Sequence, residues 1–477
     1  MDMKQDDVLQ LTITDQGAGG EGIAHVDDTT VFVPFCLTGE VVKAKVNYVK
    51  RGIAFADLVE VLLPSEDRVA PPCNRYTKCG GCDLLHVEYD RQLDIKRLSV
   101  AATLRKAEVN VSVAPCVPSP QTTGYRNKIM LPFGVVGGEV KLGFFREGSH
   151  KIVPIGKCFL HEDWAEGLIA ATLAYVREYG LSAYDSGTGK GLLRHLVARR
   201  YPEGMDVTLV VNGKGAPHLD DYYRRLLSVT DNVALYVSPH TKANNVILGD
   251  NVRLIQGAPI TTVVDGVEVS VNPLSFLQVN DGVRHLIYDR VREMVAPHEG
   301  SVVIDAFAGV GVLGATLAKA GAEVVNIEIV PEAIEDANRL AERNGVADRV
   351  TNYLGDSAIV LPKVVAGLGG RSVSVVLDPP RKGCPKAVLD TLIAMASDVE
   401  QAFAPQINAF DGAKEVRLPQ GGKIDKLVYI SCNPATLARD LAILSAAYDV
   451  ESVTPYDMFP QTKHCEVLVS LARKATD

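Results

Sequence analysis

Residues 301–328 have the sequence SVVIDAFAGVGVLGATLAKAGAEVVNIE, and this stretch decides the fold class. An apolar strand, SVVID, leads into a glycine-containing turn. The helix VLGATLAKAG follows and ends on Gly321, and AEVVNIE is a second strand. Strands that alternate with helices in this way indicate a doubly wound, mostly parallel sheet. We therefore predict a Rossmann-like α/β domain.

The alternation continues towards the C-terminus. PEAIEDANRLAERNG is a second helix, with Pro331 at its start and Gly345 at its end, and VSVVLDPP and KLVYISCNP are further strands. Residues 395–427 interrupt the pattern with a polar, glycine-containing stretch that we interpret as an insertion without an assigned role. The predicted α/β domain covers residues 266–477.

The N-terminal half has a different character. Residues 1–65 contain short β segments separated by turn signals, which predict a small OB-like β-barrel. A proline-containing linker and a cysteine-rich turn follow, and residues 66–265 form a predicted β-rich central domain. The helix expected near residues 91–107 has apolar residues at helical spacing, and we expect it to pack on the α/β domain.

Charge and composition limit the classes of function. The net charge of −9 argues weakly against an electrostatically driven nucleic-acid binder. Residues 83–160, however, hold eleven basic and seven acidic residues, and such a local patch is what matters for binding. We find no apolar run of about eighteen residues and no export signal, so we expect no membrane partner. Nine cysteines, an odd number, indicate a reducing compartment, and we expect the cytoplasm.

Three acidic residues, Asp305, Glu328 and Asp378, fall at predicted strand ends, where ligands bind in open α/β sheets. Glu328 follows the glycine turn by about twenty residues, the position of a carboxylate that binds ribose hydroxyls. GVGVLG formally fits a nicotinamide-dinucleotide fingerprint. Asp305 would repel a pyrophosphate, whereas a positively charged sulfonium tolerates an acidic site. An alternative, that these are only capping and turn residues, stays open at this point.

Cys432 lies in Ser-Cys-Asn-Pro just after an apolar strand, at the same predicted edge of the sheet. The helix that begins next offers a dipole to activate the thiol. By position alone a catalytic and a structural cysteine are equally acceptable, and Glu466 alone looks like an exposed surface residue. Cys73, Cys79 and Cys82 have one x5 and one x2 spacing, which leaves zinc and an iron–sulfur cluster both open.

Together these motifs resemble the RNA uridine-5-methyltransferase family, which makes 5-methyluridine in tRNA and 23S rRNA. The resemblance covers essentially the whole chain, from a barrel similar to the TRAM domain through GYRNKIMLPFG, SFLQVN, DAFAGVG, DPPRKG and SCNPATLARD to the final HCE. It implies that Cys432 is the nucleophile and Glu466 the general base. The implied contacts to S-adenosylmethionine are Gln278, Phe307, Glu328, Asp356 and Asp378. The implied ligands of a [4Fe–4S] cluster are Cys73, Cys79, Cys82 and Cys158. Where the family often has Asn, this chain has Val312, so we expect no cofactor contact there.

The implied substrate is RNA. The barrel–cluster–catalytic layout resembles the rRNA enzymes more than the tRNA enzymes, so we expect 23S rRNA, with tRNA as the alternative and a monomeric enzyme. Two further alternatives are methylation of cytosine, whose enzymes use a Pro-Cys setting, and a non-catalytic RNA-binding protein.

Overall fold

The computed structural model describes residues 3–146, 148–368, 371–396 and 423–475. Most of the predicted insertion therefore lies outside the described residues. The helices of the described part are α1 (Tyr89–Lys106), α2 (Trp164–Glu178), α3 (Leu219–Leu226), α4 (Asp281–Val295), α5 (Val312–Lys319), α6 (Pro331–Arg343), α7 (Ser357–Gly367), α8 (Lys386–Ala396) and α9 (Pro434–Leu444).

The N-terminal sheet has six strands in the order β1-β5-β6-β4-β3-β2. Its strands are β1 (Val8–Thr12), β2 (Asp15–Gln16), β3 (Gly22–Val26), β4 (Thr29–Val33), β5 (Val41–Lys50) and β6 (Ile53–Leu63). In β5 the residues from Val41 to Val46 alternate between buried and more exposed positions, which is the pattern of a sheet with one face on a core and one face outward. Small apolar side chains such as Ala44, Ala54 and Ala56 fill that core.

The central domain is a seven-stranded sheet with α2 and α3 packed against it. Its order is β13-β12-β11-β10-β7-β8-β9. The strands are β7 (Lys128–Val136), β8 (Glu139–Phe145), β9 (Ile152–Pro154), β10 (Leu193–Tyr201), β11 (Gly204–Val211), β12 (Val233–Pro239) and β13 (Arg253–Gln256). Every residue of β11 is buried, because this strand lies in the middle of the sheet.

The C-terminal sheet has the order β18-β17-β16-β19-β20-β22-β21, after a hairpin of β14 (Thr261–Val264) and β15 (Val267–Ser270). Its strands are β16 (Val302–Asp305), β17 (Glu323–Glu328), β18 (Val350–Leu354), β19 (Ser372–Leu377), β20 (Lys423–Ser431), β21 (Tyr448–Tyr456) and β22 (Glu466–Arg473). Among these strands β22 alone runs opposite to the common direction, so its pairings with β20 and β21 are antiparallel. The strand order reverses between β16 and β19, which opens a ligand crevice beyond their carboxyl ends. The predicted fold class is confirmed.

Helix α1 precedes the central domain in sequence but packs against the C-terminal sheet. Its buried side chains Val100 and Leu104 belong to the same apolar core as that sheet. The ammonium group of Lys96 contacts the carboxylate of Asp457, and both side chains are fully buried. Removing one partner of a buried ion pair strongly destabilises a protein, because the other charge stays buried and unpaired. The pair therefore fixes α1 against the segment that follows β21. None of the described helices has the length and hydropathy needed to cross a bilayer.

Candidate active site

Four acidic residues lie at one edge of the C-terminal sheet. Asp305 ends β16, Glu328 ends β17, Asp356 follows β18 and Asp378 follows β19. Because these strands are parallel, their carboxyl ends share an edge, and the carboxylates line the crevice at the reversal of strand order. The edge is therefore suited to a ligand with positive charge and hydroxyl groups, and ill suited to a phosphate.

The glycine turn and Glu328 form one unit. The backbone N–H of Gly309 donates to Oε2 of Glu328 (3.0 Å), while the N–H groups of Ile329 and Val330 donate to Oε1 (2.8 and 3.0 Å). These bonds hold the Glu328 carboxylate against the turn. Gly311 has a φ of 80° at the start of α5, a conformation that glycine adopts without strain.

Asp356 and Asp305 have local structural bonds of their own. Asp356 is exposed and caps α7, because its Oδ1 accepts from the N–H of Ala358 (2.8 Å). Asp305 is buried, and burial, followed by the charges of Asp378 and Glu328, raises its pKa to about 7. A buried carboxyl beside two others favours a cationic neighbour.

Gln278 lies in the segment that precedes α4. Its backbone oxygen accepts from Nδ2 of Asn127 (3.3 Å), and the oxygen of Leu277 accepts from the guanidinium of Arg199 (2.7 Å). Both donors belong to the central domain. The central sheet thus holds the Gln278 segment, and Phe307 packs partly buried beside the core of the C-terminal sheet.

Strand pairing brings Cys432 next to Glu466. Ser431 pairs with Val467 in the antiparallel ladder of β20 and β22, so the next residues on each strand, Cys432 and Glu466, lie opposite each other. Glu466 is 3% exposed, so the surface position suggested by its sequence context is wrong. Leu377 pairs with Tyr429 in the neighbouring parallel ladder, which brings Asp378 to the same place.

The electrostatics of these residues are coupled. Burial, followed by the charge of Glu466, raises the pKa of the Cys432 thiol, and the guanidinium of Arg381 opposes this rise. Burial and the charge of Asp378 raise the pKa of Glu466 well above its usual value, again against Arg381. Burial raises the pKa of Asp378 to about 7. The site therefore resists a second negative charge.

The sequence reading assigned no role to Arg381, although it lies within the DPPR motif. Its backbone oxygen accepts from Nδ2 of Asn433 (3.1 Å) and from the hydroxyl of Thr436 (3.2 Å). Buried Asp440 of α9 accepts from the N–H of Cys384 (2.8 Å), which pins the end of the same loop. The sequence offered one signal for this loop, the acidic residue Asp440 within the otherwise largely apolar helix α9.

Cys73, Cys79, Cys82 and Cys158 are each partly buried and free. Burial raises the pKa of the Cys82 thiol, and the charges of Cys158, Cys79 and Cys73 add to the rise. Within the described ranges, no group of three or more His, Cys, Asp or Glu residues is placed to hold a metal ion. Four cysteines are the donor set of a [4Fe–4S] cluster, whose thiolates bind four separate irons, so the residues fit that group in type and number.

An aromatic row crosses the outer face of the barrel. Phe32, Phe55 and Tyr48 are cross-strand neighbours on β4, β6 and β5. The rings of Phe32 and Phe55 stack with centroids 5.4 Å apart, and Tyr48 lies 6.3 Å from Phe55. Phe55 and Tyr48 are about half exposed, and the turn beside them carries exposed Lys50 and Arg51. Exposed rings beside cations are the surface on which single-stranded nucleic-acid bases stack.

Three family models match parts of the chain. The tRNA (uracil-5-)-methyltransferase model matches residues 415–474, the TRAM domain model matches residues 5–59, and the TRM5/TYW2 methyltransferase domain model matches residues 283–371. The first of these covers β20, β22 and the Cys432–Glu466 pair.

Full-length relatives also match. Proteins of Halalkalibacterium halodurans and Clostridium tetani, each named an uncharacterized RNA methyltransferase, are 35% and 33% identical. The alignments cover 99% and 98% of this chain and 98% and 96% of those proteins. The solved structure of Pyrococcus abyssi tRNA (uracil-54, C5)-methyltransferase in complex with S-adenosyl-L-homocysteine is similar, with a TM-score of 0.73 and 26% identity over 97% of this chain and 99% of that chain.

The coupling of Cys432 to its neighbours predicts opposite effects of two substitutions on thiol reactivity. Glu466→Gln removes a negative charge, so the Cys432 pKa should fall and alkylation by iodoacetamide at neutral pH should become faster. Arg381→Gln removes the opposing positive charge, so the pKa should rise and alkylation should slow. The pH dependence of alkylation, followed at the Cys432 peptide by mass spectrometry, measures both. Equal profiles for the two variants would contradict the coupling.

Proposed function

The chain belongs to the RNA (uracil-5-)-methyltransferase family, and from this premise we propose that it methylates carbon 5 of a uridine in 23S rRNA through a covalent adduct of Cys432. The observation that carries the proposal is the ladder register that sets Cys432 opposite Glu466, with Asp378 beside them. A thiol, a buried carboxylate and a cofactor crevice at one sheet edge are what this chemistry needs.

The chemistry follows from the reactivity of uracil, whose carbon 5 is too weak a nucleophile to take a methyl group directly. The Cys432 thiolate adds to carbon 6, and the electron pair moves into an enolate. Carbon 5 of the enolate attacks the sulfonium methyl of S-adenosylmethionine, and S-adenosylhomocysteine leaves. The Glu466 carboxylate removes the proton from carbon 5, and the bond between carbon 6 and sulfur breaks to restore the thiolate.

Burial of Glu466 suits the second half of this reaction. A carboxylate with a raised pKa holds a proton more strongly, so it is a better base for carbon 5. Arg381 lowers the pKa of both Cys432 and Glu466, which favours their charged forms. The target base has to leave its stack to reach the thiol, as in other enzymes that modify a base.

S-adenosylmethionine is the methyl donor implied by the family, and the related complex with S-adenosylhomocysteine supports it. We assign its contacts to Gln278, Phe307, Glu328, Asp356 and Asp378. Glu328, held by three backbone N–H groups, would bind the ribose hydroxyls. The acidic crevice favours the positively charged sulfonium and amino group over a dinucleotide.

We assign a [4Fe–4S] cluster to Cys73, Cys79, Cys82 and Cys158. The support is the gathering of four free thiols of the right type and number. When bound, the cluster would link the cysteine turn to Cys158 of the central domain. We assign it a structural role, because the methylation has no redox step. Iron and acid-labile sulfide in protein purified without oxygen test the assignment, and zinc in their place would refute it.

The layout of barrel, cysteine turn and catalytic domain favours 23S rRNA, and the aromatic row supports binding of unpaired RNA. A tRNA substrate is the second candidate, because the solved relative acts on uracil-54 of tRNA. Mapping 5-methyluridine in rRNA and tRNA from cells with and without the gene decides between them. We expect an rRNA position to lose its methyl group, and loss only from tRNA would overturn the assignment.

We propose a cytoplasmic monomer. All nine cysteines are free, which suits a reducing compartment. The described fold contains a barrel, a central domain and a catalytic domain in one chain, so a partner subunit is not needed to complete the site. Cell fractionation and light scattering check these two expectations.

The covalent mechanism predicts different outcomes for two variants mixed with RNA and S-adenosylmethionine. Glu466→Gln should form the adduct but eliminate it about 10²- to 10⁴-fold more slowly, because proton abstraction is lost. A protein–RNA band should therefore persist on a denaturing gel. Cys432→Ala should give neither band nor product, and Cys36→Ala, which removes a buried thiol from the core of the N-terminal sheet, serves as the control. Methylation by the Cys432→Ala variant would exclude the mechanism.

A further inference from the structure

The segment that carries Glu466 into the site is held mainly from outside the C-terminal domain. Residues 457–465 connect β21 to β22 and end directly before Glu466. Gln461, in the middle of this turn, has a φ of 70°, a left-handed conformation that is uncommon for a side chain other than glycine. Such a conformation persists where surrounding contacts determine it.

Asp83, the residue after Cys82, contacts both Gln461 and Lys463. The backbone N–H groups of Asp83 and Leu84 donate to the oxygen of Gln461 (3.1 and 3.0 Å). The Oδ2 atom of Asp83 accepts from the N–H of Lys463 (3.1 Å), and Oδ1 lies 3.2 Å from Nζ of Lys463. The Asp83 segment thus spans the turn three residues before Glu466.

Helix α1 supplies the other supports. Oε1 of Gln92 accepts from the N–H of Gln461 (3.0 Å), and its Nε2 donates to the Gln461 side chain (2.9 Å). Lys96 contacts Asp457 and donates to the oxygen of Phe459 (3.1 Å). Gln92 and Lys96 are buried, so these contacts are shielded from water.

Cys432 is supported differently. The residues after it bond to the loop of Arg381, which belongs to the same C-terminal domain, through Asn433 and Thr436. The residues after Cys432 and the turn before Glu466 therefore have separate supports, in addition to the β20–β22 ladder that the two strands share. A change near Asp83 would act first on the turn that leads into Glu466.

We propose that Asp83 is a positioning residue for Glu466, through which the cysteine turn sets the place of the general base. This inference rests on the proposed function. Asp83 does not touch the reacting atoms; it holds Gln461 and Lys463, and they hold the start of β22. Its loss would slow removal of the carbon 5 proton and release of Cys432, and would leave addition of the thiolate to carbon 6 intact.

The position of Asp83 next to Cys82 gives the cysteine turn a defined role. If Cys82 ligates a cluster, the ligation would also hold Asp83, and Asp83 holds the turn that precedes Glu466. The elimination step would then depend on an intact cysteine turn, whereas adduct formation would not.

The experiment follows adduct formation and decay for Asp83→Ala, Asp83→Asn and Asp94→Ala, with total RNA from cells that lack the protein as the probe. Asp94 is an exposed acid of α1 paired with Arg97, and its removal is the matched control. We expect Asp83→Ala to form the adduct at the wild-type rate and to eliminate it on the order of tenfold to a hundredfold more slowly, the effect of a small displacement of a catalytic group. Asp83→Asn keeps an oxygen for the Lys463 N–H and should recover most of the rate.

Three outcomes decide the proposal. Equal slowing of adduct formation and elimination in Asp83→Ala would mean a general structural role and overturn it, as would a wild-type elimination rate. Bound iron and affinity for S-adenosylmethionine are measured in the same preparations, and a selective elimination defect with both retained supports it. If Glu466→Gln also forms no adduct, the proposed function itself has failed; if Glu466→Gln accumulates adduct and Asp83→Ala does not, only this inference has failed.

Discussion

The antiparallel pairing of β20 with β22 is the constraint on which the candidate site depends. In a sheet that is otherwise parallel around it, β22 enters in the reverse direction, so its first residue rather than its last lies at the ligand edge. That reversal brings Glu466 opposite Cys432. A slip of β22 by one residue would turn its side chains, Glu466 included, to the opposite face of the sheet.

The same edge concentrates negative charge in a buried environment. Asp305, Asp378 and Glu466 all have raised pKa values, and burial is the first cause for each. Arg381 is the cation that offsets this charge near the thiol, and a cationic methyl donor would offset it in the crevice. The charge at this edge thus suits a cationic cofactor, which agrees with the family to which the chain belongs.

A few contacts join the C-terminal sheet to distant parts of the chain. The central domain holds the Gln278 segment through Asn127 and Arg199, and the cysteine turn with α1 holds the segment before Glu466. The catalytic edge is therefore assembled from three regions.

The sequence alone determined the α/β alternation, the barrel and the presence of Cys432, Asp378 and the cysteine turn, because periodicity and local motifs encode strands, helices and turns. It could not determine the burial of Glu466, which looked like a surface residue, since burial depends on which strand lies beside β22. The strained turn at Gln461 and its support by Asp83 were also invisible, because these residues are almost four hundred positions apart. Such contacts form only when the chain has folded, and tertiary structure alone decided them.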